Sequence, residues 1–246
     1  MKEILALIKE KQQVYSQLPL FDFMQDETID PVKRLAFAPC AAPFIMSFTD
    51  LCKYVFRQEP TSDRVQEILN QHTYEDDFHW QWYIADLQKL GFNCSLQFND
   101  SLTFLWSDET KSSRFLTHEL YKRITQSDAV EKLMILEAME AAADIFLSHT
   151  GKITQQLKSI TNQEYQYFGS SHKDAEHSHN TRSYDARKFI KNIQVSTQTQ
   201  QRIVKLVEEV FELFTQWSHQ LLTYAQNYQI SQLSNRQHQR EFVSLK

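Results

Sequence analysis

Apolar residues recur at three- and four-residue intervals along most of the chain, and the clearest stripe is the last. Ile203, Val207, Val210, Phe211, Phe214, Trp217, Leu221 and Tyr224 fall on one face of a helix over about 198–229. A second stripe, Leu133, Leu136, Met139, Ala143 and Phe146, begins at Ser127-Asp128 and predicts a helix that stops near Gly151. Upstream, Asp30-Pro31 is an N-cap followed by proline at the first helical position, and Ala41 to Phe56 reads as an apolar helix ending before Pro60. Thr61-Ser62-Asp63 opens a long helical pattern that runs to Gly91, a left-handed cap. Residues 92–108 mix loop and short-helix signals, helices are expected over 152–168 and 170–195, and the Gln-rich stretch 230–246 reads as a loose polar tail. The expectation is an all-α protein, a single compact bundle of about seven helices spanning 1–246.

Composition narrows this picture. The chain has 246 residues but only 3 glycines, Gly91, Gly151 and Gly169, where average usage gives roughly 17. No Gly-rich phosphate loop can be written, so the usual nucleotide cradles are excluded. All 5 prolines lie at or before Pro60, so nothing beyond it forbids a helix interior. A net charge of −5 with no basic block argues against nucleic-acid binding. Cys40, Cys52 and Cys94 are odd in number and have no metal-like spacing, which suits buried thiols in a reducing compartment. The start Met1-Lys2-Glu3-Ile4 has no signal-peptide core, and no apolar run is long enough to span a bilayer. These features predict a soluble, cytoplasmic protein.

Three helical segments concentrate imidazoles and carboxylates. In the first, Glu75 and His79 are four apart, with His72 one turn earlier. In the second, Glu140 lies in a stretch of apolar and small residues where a solvated charge is out of place, and Glu137 one turn before it competes for the same role. In the third, His172, Glu176 and His179 stand on one stripe, with Asp174 and His177 off it. Three imidazoles and three carboxylates form a ligand set suited to non-haem iron or manganese, whereas zinc or iron–sulfur sites favour thiolates. Bundles that hold two irons build their sites from such inward side chains on facing helices. The bland readings are a solvated Glu–His pair, a polar helix end near His177 and a surface Glu140. Trp80, Trp82, Tyr83, Phe146 and Phe168 read as core or pocket wall, and the Trp217 stripe as core.

The order Glu-x3-His, Glu, His-x3-Glu-x2-His, with Tyr167-Phe168 before the last motif, resembles the haem-oxygenase-like di-iron oxidases and oxygenases, including the CADD-like proteins. The 32 positions from Glu140 to His172 are similar to that family's spacing and favour Glu140 over Glu137. The chain departs in having Glu176 where the family often has aspartate. The resemblance implies a seven-helix haem-oxygenase-like bundle without haem. It also implies two Fe(II) ions, or an iron–manganese pair, held by Glu75, His79, Glu140, His172, Glu176 and His179. O2 would be the co-substrate, and a small molecule would be oxidised by C–C fragmentation, oxidative decarboxylation or N-oxygenation. Related proteins are commonly dimers. Two alternatives share the scaffold: a thiaminase-like hydrolase, which needs a cysteine nucleophile in the pocket, and a metal-free interaction protein. A haem-degrading enzyme would need a proximal histidine near the N-terminus, and the first histidine here is His72.

Overall fold

Side-chain caps set several of the helix starts. Asp30 accepts the N–H groups of Val32 and Lys33 at 2.9 and 3.3 Å, and Asp63 accepts that of Val65 at 2.8 Å. Asp128 accepts from the Glu131 N–H at 2.9 Å, and the Glu131 carboxylate accepts the Asp128 N–H at 3.1 Å, a reciprocal capping box. The computed structural model describes residues 1–92, 97–172 and 184–228. In chain order its helices are α1 (Lys2–Tyr15), α2 (Pro19–Gln25), α3 (Pro31–Arg34), α4 (Ala38–Leu51) and α5 (Arg64–Asp76). They continue with α6 (Trp80–Lys89), α7 (Phe98–Leu105), α8 (Lys111–Thr125), α9 (Ala129–Thr161), α10 (Tyr184–Asn192) and α11 (Thr197–Asn227). The described residues contain no strand.

The eleven α-helices among the described residues outnumber the seven or so expected. The region before Ala38 holds three of them, and the predicted 61–91 helix is two, α5 and α6. The last stripe is close to expectation: α11 buries Ile203, Val207, Val210, Phe211, Phe214, Trp217 and Leu221. Gly91 is the expected cap, with φ +82°. The Phe92 N–H reaches the Leu87 carbonyl at 2.9 Å and the Gly91 N–H reaches Gln88 at 3.1 Å, a Schellman closure.

Gly151 does not end a helix. The 33-residue α9 runs through it to Thr161 and stops at Asn162, whose φ of 56° is left-handed. One interior glycine costs a helix only about 1 kcal/mol. Burial of Phe146, Leu147, Thr150, Ile153, Thr154 and Leu157 along the same stretch outweighs that cost. The expected helix over 152–168 is therefore the end of α9 followed by an irregular segment, and the tail 230–246 lies outside the described residues.

The core forms around α9 and α11, the most extensively paired helices, with α1 against both, α8 against α11 and α5 against α9. Two of its large buried aromatics have their polar atoms satisfied: the Tyr83 hydroxyl donates to the Ala38 carbonyl at 2.7 Å, and Trp217 Nε1 donates to Ser113 Oγ at 2.9 Å. No described helix is long and apolar enough to cross a membrane.

Candidate metal centre

The site begins where α5 ends. Asp77 is drawn out of the helix: its carboxylate pairs with Arg57 at 2.9 Å, and its carbonyl accepts the Thr49 hydroxyl. Adjacent acids at a helix C-terminus also oppose the macrodipole. The chain turns through Asp77 and Phe78, and His79 becomes the residue that starts α6. This turn swings His79 back toward the last residue of α5, leaving its Nδ1 at 3.4 Å from Asp76 Oδ1. One turn earlier, His72 Nε2 lies 2.8 Å from Asp76 Oδ2 and 3.3 Å from Glu140 Oε1.

Ligand atoms of His72, Asp76 and Glu140 lie within 4.8 Å of one another. Two carboxylates this close repel unless a positive charge sits between them. In the metal-free protein the His72 proton meets that need: burial opposes the imidazolium, but Asp76 and Glu140 outweigh it and raise His72 well above its ordinary pKa. A divalent cation would meet the same need, and the imidazole–carboxylate donor set suits iron or manganese.

Asp76, His79, Glu140 and His172 all line one cavity, whose remaining described wall is largely apolar. Asp76, His72, His79 and His172 are buried, and the Glu140 side chain is 13% exposed. His79 stacks on Trp82 with ring centres 4.4 Å apart and meets the His172 ring edge-on at 4.6 Å. His172 Nδ1 is 2.9 Å from the Tyr167 carbonyl. A carbonyl only accepts, so Nδ1 carries a proton and the neutral ring keeps its lone pair on Nε2, as a metal ligand requires.

The segment that carries His172 is pinned from two sides. Asp86, wholly buried on α6, accepts the N–H groups of Gln166 and Phe168, each at 3.0 Å. The Phe168 carbonyl accepts from Thr154 Oγ1 of α9 at 3.2 Å. At Gly169 a Cβ would stand 2.0 Å from the Tyr165 carbonyl oxygen, so only glycine fits this turn.

Of the residues singled out from the sequence, His79, Glu140 and His172 line this one cavity. Glu75 is half-buried and does not line the cavity; the carboxylate there is Asp76. The i,i+4 geometry anticipated for Glu75 and His79 needs a continuous helix, and α5 stops between them. Glu137 pairs with Arg187 of α10 at 3.4 Å, away from the cavity wall. Glu176 and His179, with Asp174 and His177, lie outside the described residues. Sequence reasoning passed over Asp76 and Asp86. A signal for Asp76 was present: His72-x3-Asp76-x2-His79 repeats the spacing of His172-x3-Glu176-x2-His179. Of the pocket-wall aromatics, Trp80 and Phe146 line the cavity, and so do Phe214 and Trp217 of the α11 stripe. No family model matches the chain, and no curated protein matches it significantly.

Proposed function

We propose that the protein is a non-haem, iron-dependent oxidase or oxygenase of the haem-oxygenase-like di-iron type, acting on a small molecule in the cavity beside Asp76 and Glu140. The observation that carries this reading is the convergence of Asp76, His79, Glu140 and His172 on one largely apolar cavity, with His72 against both carboxylates. In this reading Asp76 takes the role expected of Glu75; Glu176 and His179, the other ligands the resemblance implies, lie outside the described residues. Two ferrous ions, or an iron–manganese pair, supply O2 reduction when bound.

The chain's own residues do the rest. Tyr167 holds His172 in the tautomer whose Nε2 is open for coordination. His72 gives up the proton it shares with Asp76 and Glu140 when a metal cation takes that place. Phe44, Phe146, Phe214 and Trp217 keep water from the reacting bond and fix the substrate's body.

A cysteine-dependent hydrolase is the weaker reading. Cys52 is fully buried and does not line the cavity, and burial together with Asp76 and Glu140 pushes its thiol well above the ordinary range. Cys40 is likewise buried, its thiol raised to about 12, and Cys94 lies outside the described residues.

Anaerobic reconstitution with ferrous iron tests the proposal. About two irons per chain are expected, with O2 consumed on admission of air and the iron count lowered in His172→Ala. Failure of the wild-type protein to take up iron sinks the proposal and leaves the metal-free interaction protein.

A further inference from the structure

The cavity itself restricts what can react there. Its volume of ≈ 80 Å³ is several times the about 10–15 Å³ that a single water needs, and so admits only a small molecule. Two small residues, Ala142 and Ala143, line it on the helix that also presents Met139, Glu140, Phe146 and Leu147 to the same space. Ala143 stands one turn beyond Glu140, so its methyl group borders the room directly next to the carboxylate end.

The facing wall is built of interlocked rings. Phe44 meets Trp217 and Phe214 edge-on at 5.1 and 5.7 Å, and Phe146 lies 5.8 Å from Trp217. Rings packed this way hold a cavity open and leave an ion in it without hydration. At that wall the Tyr15 hydroxyl is already engaged with Ser218 Oγ at 2.8 Å. At the other end the Asp76 and Glu140 carboxylates oppose an anion, and a cation seated there competes with the metal.

We infer that the site takes a small, uncharged, largely apolar molecule, no larger than about a single substituted ring. Its reacting bond lies toward Glu140, and Ala143 sets its allowed width. This inference rests on the oxidase reading for the chemistry but not for the binding.

Calorimetric titration of both metal-free and anaerobically iron-loaded protein tests it with benzyl alcohol, benzoate, benzylammonium and biphenyl-4-methanol. Benzyl alcohol should bind the metal-free protein at least about tenfold more tightly than either ion, and biphenyl-4-methanol should not bind. Ala143→Leu should weaken benzyl alcohol at least about tenfold with the iron count unchanged, while Ala143→Ser, which keeps the space, should bind it as the wild type does. Equal or tighter binding of a charged probe overturns the inference, as does undiminished binding by Ala143→Leu. Full iron uptake without benzyl alcohol binding sinks this inference alone. Benzyl alcohol binding by a protein that takes no iron sinks the oxidase reading alone.

Discussion

Glu137 and Glu140 sit one turn apart on α9, and their surroundings assign them different work. Glu140 reaches His72 and the cavity, whereas Glu137 reaches Arg187 on a helix far along the chain. Glu140→Gln keeps the shape but removes a charge that a metal needs, so iron uptake should fall sharply by elemental analysis. Glu137→Gln breaks a part-exposed ion pair worth at most about 1 kcal/mol, so the iron count should stay unchanged and the denaturant midpoint should barely move. The sequence made Glu140 legible because a charge among alanines and apolar residues is conspicuous. It did not separate Glu75 from Asp76, since one residue is a rotation of about 100° on a helix. Which of the two faces inward is set by how α5 packs against α9, whereas Arg57 and Thr49, by holding Asp77, bear on the turn that leads to His79.

At the scale of elements, local signals that carry their own chemistry were readable: the Asp30, Asp63 and Asp128 caps, the Gly91 closure and the α11 stripe. What was not readable is which glycine interrupts a helix, because the answer lies in the backbone that approaches it. Gly151 is helical, and an added Cβ would meet only ordinary contacts, 3.9 Å to the Ser170 nitrogen and 4.0 Å to the Gly169 carbonyl carbon. Gly151→Ala should therefore stabilise the protein by roughly 0.5–1 kcal/mol through helix propensity and the unfolded chain. Gly169→Ala places a Cβ against the Tyr165 carbonyl and should cost about 1–3 kcal/mol, displacing His172 as the turn rearranges. Urea unfolding of the two variants, with iron counts on both, checks the opposite signs. Asp86 belongs to the same scale: Asp86→Ala leaves the buried Phe168 N–H without its acceptor, costing about 1–3 kcal/mol, while the Gln166 N–H, on an exposed residue, can turn to water. Its iron retention should fall with the stability, although Asp86 lies outside the cavity wall.

For the whole molecule, the scarcity of glycine and the early end of the prolines did correctly indicate an all-helical chain. Composition has no access to how the helices meet, and the site is made by that meeting. Asp76 closes α5, His79 opens α6, Glu140 lies in the middle of α9, and His172 follows the turn pinned by Asp86. In the unfolded chain these groups are scattered over nearly 100 residues, so a metal that bridges them binds the folded state far better. At a free-metal concentration a hundredfold above the dissociation constant, the gain is about 2.7 kcal/mol. For a chain of this size that raises the thermal midpoint by roughly 5–10 °C. Anaerobic thermal scans should therefore show a midpoint that rises with ferrous iron and returns on chelation, with Asp76→Asn and His172→Ala showing much less of the rise. Because each altered group sits on a different segment, the loss in both variants would tie the stabilisation to closure of the site and not to iron held at the surface. A wild-type midpoint indifferent to iron would mean that these segments are held together by their packing alone.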